Sequence, residues 1–295
     1  MTSEPDFGVV FGCPRSGTTF VLRALNAAPA TVCLNGIIFP AAIPQILNQP
    51  VPEPVRAALR VEFKESLLRY LRSGLFHARA TALQKWKSAR TGPGALWDAL
   101  RGQQAVERLI YKEPFFSFAP EFAYDALPGA PLVYIYRDGR DCADSLTRTY
   151  DVLTDEKLTH LRSAEMRFGR KVDHRYVPWW VEDGDDDAFL AASPYVRAVW
   201  MWKAMVNRCE AFFARPEVAA SGRILRLRYE DLMRDPLPQG EAVAAHLGVP
   251  FSRGMRKRLE SAHTRSIGNH RGRPPEDLRA AERLAAAELA RNGYR

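Results

Sequence analysis

The stretch FGVVFGCPRSGTTF, residues 7–20, decides the fold. An apolar run leads into it, and TTFVLRALNAA continues beyond it with the spacing of a helix. Between the two lies G-x-x-x-x-G-x-T from Gly12 to Thr19, the skeleton of a phosphate-binding loop. Glycines at 12 and 17 let the backbone curl so that N–H groups point inward, and a helix starting near Thr18 adds its positive end. A nucleoside triphosphatase loop would carry lysine after the second glycine, where it reaches the β- and γ-phosphates. Here that position is Thr18, and the one charge in the loop is Arg15. Arg15 offers a forked, permanently charged contact to phosphate oxygens, while Ser16, Thr18 and Thr19 offer hydroxyl donors.

Outward from the loop the chain reads as α/β. FGVVFG (7–12), ERLIY (107–111), PLVYIY (131–136) and RILRLRY (223–229) are short apolar runs bounded by Gly, Pro or charge, as buried parallel strands are. The segments between them are helical in spacing, so a central parallel β-sheet flanked by helices is expected, of the P-loop nucleotide-binding type. Ser193 followed by Pro194 signals a helix start, and PPEDLRAAERLAAAELARNG reads as one terminal helix ending at Gly293. Residues 36–104 read as a helical insertion, and 171–189 (KVDHRYVPWWVEDGDDDAF) as a long acidic loop bearing Trp179 and Trp180. A loop of that length is a lid candidate, against the plainer reading that its tryptophans clamp it to the body. The whole, 1–295, is taken as a single domain.

Composition narrows the function. A chain of 295 residues with 46% hydrophobic residues can fill an ordinary core. The net charge of +8 is spread among acids as in RDGRD and YEDLMRD, with no block of five Lys or Arg, which argues against a nucleic-acid partner. Cys13, Cys33, Cys142 and Cys209 lack metal or redox spacing and suit a reducing compartment. MTSEPDFGVV has neither a basic region nor an apolar core, and no apolar run reaches about 18 residues. No signal peptide and no membrane span are expected, and a cytoplasmic location follows.

A second stretch, YIYRDGRDCADSL at 134–146, ends a strand with Arg137 and places Ser145 eight residues on, inside a helix for which Asp141 is positioned as the cap. Folding back from strand to helix would bring Arg137 and Ser145 to one end of the sheet. With these residues in view the chain resembles the sulfotransferases that use 3′-phosphoadenosine-5′-phosphosulfate. PRSGTT (14–19) looks like their 5′-phosphosulfate loop, and Arg137 to Ser145 like their 3′-phosphate motif. RYEDLMRDP (228–236), with Tyr229, is similar to a segment near their adenine site, and Lys112-Glu113-Pro114 to a Lys-acid-Pro stretch of bacterial members. In that family a late loop closes over the 3′-phosphate; SIGNHRGR (266–273) is placed for it, with Arg271 and Arg273 as charges and Gly268 and Gly272 for close approach.

The resemblance implies direct in-line transfer of a sulfuryl group to a hydroxyl, without metal, leaving adenosine 3′,5′-bisphosphate. It answers why the loop lacks lysine: the donor has no β,γ-phosphate chain to span. Arg15 and Lys112 are then the cations for charge growing on the leaving oxygen. Two residues compete as the base that takes the hydroxyl proton, Glu113 first and His77 in the insertion second. Many relatives carry Glu soon after the second strand, where this chain reads CLNGIIFP with Asn35 and Gly36. The acceptor is expected to be a small molecule or glycoconjugate, of the kind made in bacterial secondary metabolism, against an apolar wall including Phe63, Phe115, Phe116 and Phe118. At helical spacing such residues also serve as plain core. A P-loop kinase and a non-catalytic nucleotide-binding protein stay open as alternatives.

Overall fold

The computed structural model describes residues 4–36, 51–72, 106–160 and 169–294. Its centre is a five-stranded, wholly parallel sheet in the order β2-β3-β1-β4-β7. The strands are β1 (Asp6–Phe11), β2 (Thr31–Asn35), β3 (Arg108–Lys112), β4 (Leu132–Tyr136) and β7 (Ile224–Arg228). A separate antiparallel hairpin pairs β5 (Arg170–Val172) with β6 (Arg175–Val177). The chain leaves β1 towards β2 on one side and later crosses back over β1 to β4 on the other. Ligands of open α/β sheets sit at such a reversal, outside the carboxyl ends of the strands.

Alternation along each strand feeds two cores. Val9, Phe11, Leu109, Tyr111, Leu132 and Tyr134 face helices α2 (Glu53–Arg72) and α3 (Pro120–Ala126), packing with Phe63, Leu67 and Phe122. On the opposite face Val10, Ile110, Val133 and Ile135 meet Val21, Leu22 and Leu25 of α1 (Thr18–Leu25). Burial on both faces is why these strands read as unbroken apolar runs. A third cluster joins α4 (Gly139–Tyr150) to α5 (Pro194–Phe213) through Cys142, Leu146, Val199 and Trp202. Gly139 is a close-approach residue, since a Cβ there would lie 2.3 Å from the Trp202 ring.

Several local readings change. Ser193 caps α5 as expected, accepting from Val196 N, but α4 is capped by Asp138, whose carboxylate accepts from Arg140 N. Asp141 therefore lies inside the first turn, free for another task. The acidic 171–189 segment holds the β5–β6 hairpin and a short helix, Asp186–Ala191, and is not an irregular loop. Arg170 pairs with Asp186 and Asp183. Trp180 is buried between Phe118 and Phe189, with centroids 6.2 and 5.6 Å away. Trp179 lies 5.0 Å from Phe118, so the pair clamps this segment to the body. The terminal helix is broken at Ala285 into Pro275–Leu284 and Ala286–Arg291.

Of the aromatics read as either pocket wall or plain core, Phe63, Phe116 and Phe118 are buried in the core, at most 3% exposed. His77 and most of the insertion lie outside the described residues. Among the described residues no helix is long and apolar enough to cross a membrane, and the four cysteines are buried free thiols.

Candidate active site

The loop between β1 and α1 needs its glycines for different reasons. At Gly12 (φ 151°) a Cβ would sit 2.0 Å from the Ile135 carbonyl of β4. At Gly17 (φ 100°) it would sit 2.5 Å from the Tyr229 ring. Arg15 is left-handed as well (φ 71°), a conformation that is strained for a residue with a side chain. Its carbonyl is held by Arg137 Nη1 at 3.0 Å. Ser16 is fully buried and its Oγ has no partner among the described residues, a donor of the kind that a folded protein normally satisfies. The first N–H groups of α1 open at the same place.

Residues far apart in sequence meet above β1 and β4. Arg15 Nε donates to Ser145 Oγ at 2.9 Å, across 130 residues. Arg137, only 5% exposed, donates from Nη2 to the Ser266 carbonyl at 2.5 Å and stacks 4.3 Å from the Tyr229 ring centroid. Its Nε is buried without a partner among the described residues. The backbone beneath is fixed on two sides. Trp202 Nε1 donates to the Arg137 carbonyl at 3.2 Å, and Asp138 N donates to Glu230 Oε1 at 3.1 Å.

At the end of β3, Lys112 is buried and donates to Asn35 Oδ1 (2.7 Å) on β2 and Thr19 Oγ1 (3.3 Å) on α1. Both are neutral oxygens, so among the described residues this ammonium is not spent in a salt bridge. Burial lowers its pKa; the Glu113 charge opposes this, and Arg15 and Arg23 lower it further. Glu113 caps the 3₁₀ turn Pro114–Phe118, accepting from Phe115 N at 3.1 Å. Burial pushes its carboxyl up to about 7, against the Phe115 N–H and Lys112, which pull it down. The departure at Gly36 gains a physical meaning here: a Cβ at 36 would come within 2.9 Å of Glu113 Oε2, so the bare residue leaves room for this carboxylate.

Cations, a helix N-terminus and a near-neutral carboxyl thus gather at the carboxyl end of the sheet, an arrangement able to hold an anion and move a proton. A family model for the sulfotransferase family matches residues 9–253, from β1 to the start of the Arg253–Leu259 helix. The chain belongs to the sulfotransferase family. Solved structures similar to this sulfotransferase include the sulfotransferase domain of the Synechococcus PCC 7002 olefin synthase (19% identity, 96% of each chain covered, TM-score 0.49). Another is the sulfotransferase domain from the curacin biosynthetic pathway (16% identity, 99% of each chain, TM-score 0.48). A third is STF1 from Mycobacterium tuberculosis (16% identity, 97% of this chain and 76% of that one, TM-score 0.48). No curated protein matches the sequence.

In this sulfotransferase the segment 266–273 lies against the same cluster. Tyr229 Oη and Ser266 Oγ share a hydrogen bond of 2.8 Å, and Asp141 receives Gly268 N (2.7 Å), His270 N (3.1 Å) and His270 Nδ1 (2.8 Å). Burial alone would raise the Asp141 pKa, but these bonds and the Arg137 charge outweigh it and hold the carboxyl below its usual range. The two arginines of the segment differ. Arg273 is bonded to Asp144 Oδ1 (2.7 Å) and Thr147 Oγ1 (2.8 Å), so its charge is already used. Arg271 is exposed and has no ion-pair partner among the described residues. Sequence reasoning missed Asp141 and His270 as partners and Asn35 as the support of Lys112. The four-residue spacing of Arg137, just before the cap of α4, and of Asp141 and Ser145 on one edge of that helix, is the signal that was there to read.

Proposed function

We propose that this sulfotransferase draws on 3′-phosphoadenosine-5′-phosphosulfate and transfers the sulfuryl group directly, without metal, to a hydroxyl of a small-molecule or glycoconjugate acceptor. The reading places the enzyme in the cytoplasm as a single domain over 1–295. The observation that carries it is the Arg15–Ser145 hydrogen bond together with the Arg137 clamp on the Arg15 carbonyl, which joins two anion-binding stretches across β1 and β4. The residues fit such a group: among the described residues the buried Ser16 hydroxyl and the buried Arg137 Nε have no hydrogen-bond partner.

In this reading Ser16, Gly17, Thr18 and Thr19 bind the 5′ side with the amides of the loop. Arg137, Ser145 and Arg271 take the 3′-phosphate, with Arg273 supporting them through Asp144, and Tyr229 packs beside the nucleoside. When bound, the donor supplies the sulfuryl group and a bisphosphate leaving group. Lys112 and Arg15 neutralise charge on the oxygen that leaves sulfur, and Glu113 accepts the proton of the attacking hydroxyl. Loss of a charge-assisted hydrogen bond predicts that Arg137→Ala and Ser145→Ala each weaken binding of adenosine 3′,5′-bisphosphate by roughly 10- to 100-fold, read by calorimetry. Unchanged affinity in both variants would contradict the assignment.

A further inference from the structure

Asp141 occupies a place where a carboxylate is costly. It lies between Arg137 and Ser145 at four-residue spacing, on the edge of α4 that the donor reading gives to a phosphate. An ionised acid there would repel an anion unless its charge were used elsewhere. Its two oxygens are in fact taken: Oδ2 by Gly268 N, and Oδ1 by both His270 N and His270 Nδ1, with Arg137 Nη2 3.7 Å away. Asp141 is 1% exposed and His270 7%, so these bonds are shielded from water. They fix a tight turn. Gly268 is left-handed (φ 80°), Arg271 N donates back to its carbonyl at 3.1 Å, and the Arg271 guanidinium lies beside the glycine, 3.6 Å from where a Cβ would be. Either end of the segment is tied separately, at Ser266 by Arg137 and Tyr229 and at Arg273 by Asp144. Among the described residues the side-chain hydrogen bonds to the middle come from Asp141, beside the packing of Ile267 on the core, and the middle is where Arg271 leaves the surface.

We propose that Asp141, acting through Gly268 and His270, is the positioning residue that holds the 266–273 turn over Arg137 and aims Arg271 at the second phosphate. It is a specificity device: it sets how well the site separates a nucleotide with a 3′-phosphate from one without, and leaves the 5′ side alone. The inference rests on the donor reading above. Asp141→Asn keeps the shape but turns one acceptor into a donor facing an N–H and removes the charge. His270→Ala removes the ring contact and keeps both backbone bonds.

The test measures the affinity of each protein for adenosine 3′,5′-bisphosphate and for adenosine 5′-monophosphate. In Asp141→Asn the preference for the bisphosphate is expected to fall by roughly tenfold or more, with a smaller fall in His270→Ala, while affinity for the monophosphate stays within about twofold of wild type. A merely structural role would lower both affinities together, and that result overturns the proposal. So does an unchanged preference. Should Asp141→Asn fail to fold, His270→Ala carries the same comparison, with the same outcomes for and against. A wild-type protein that shows no preference for the bisphosphate refutes the donor reading itself, and is distinct from a wild-type preference that the variants retain.

Discussion

Glu113→Gln is expected to lower kcat by roughly 10²- to 10⁴-fold, the range lost with a positioned general base. Glutamine keeps the side-chain oxygen that accepts from Phe115 N, so the 3₁₀ turn stays capped and the loss reports the proton acceptor, not the cap. The pH profile separates the roles further. With the carboxyl pushed up to about 7, wild-type kcat/KM should rise with unit slope below that pH and level above it, and the variant should lack the limb. Stability moves the other way. The folded carboxyl holds its proton to about pH 7, whereas the unfolded one loses it near the ordinary glutamate value. The stability this group contributes at low pH is therefore lost as pH rises from about 4.5 to about 7. At pH 8 the variant should melt higher than wild type while turning over more slowly. A variant that keeps full activity removes Glu113 from the mechanism.

The second large effect belongs to Lys112. Lys112→Met retains the buried stem but removes the charge held between Asn35 and Thr19, and kcat is expected to fall by roughly 10²- to 10³-fold, as when one preorganised donor to a developing anion is deleted. Because burial lowers the lysine pKa, the wild-type rate should also fall on the alkaline side below the ordinary lysine range, giving a bell with the Glu113 limb. Steady-state kinetics of wild type and variant across pH check both statements. Unaltered kcat with raised KM would make Lys112 a ground-state binding group instead.

What was legible in the sequence follows from how local each feature is. The strands at 7–12, 107–111 and 131–136 could be read because burial on both faces demands continuous apolar runs, whereas 223–229, at the sheet edge, showed itself by Ile224, Leu225 and Leu227 set among arginines. β2 was missed as a run of its own: Thr31–Asn35 is a five-residue edge strand ending in Asn, specified mainly by its pairing with β3. The loop at 12–19 was readable because its glycines answer to backbone geometry within one turn. The Arg137–Arg15 contact spans 122 residues and the Lys112–Asn35 contact 77, and pairings at such separation exist only once the sheet has formed. Asp141 illustrates the limit. By propensity it suits a cap, yet Asp138 takes that role, and the fold supplies Asp141 with partners 127 and 129 residues away.

The most direct measurement is a calorimetric titration of the wild-type protein with adenosine 3′,5′-bisphosphate beside ATP with magnesium. Saturable binding of the bisphosphate is expected, at an affinity well above that for magnesium ATP. Binding of magnesium ATP in preference to the bisphosphate would contradict it and point to a phosphoryl donor in its place.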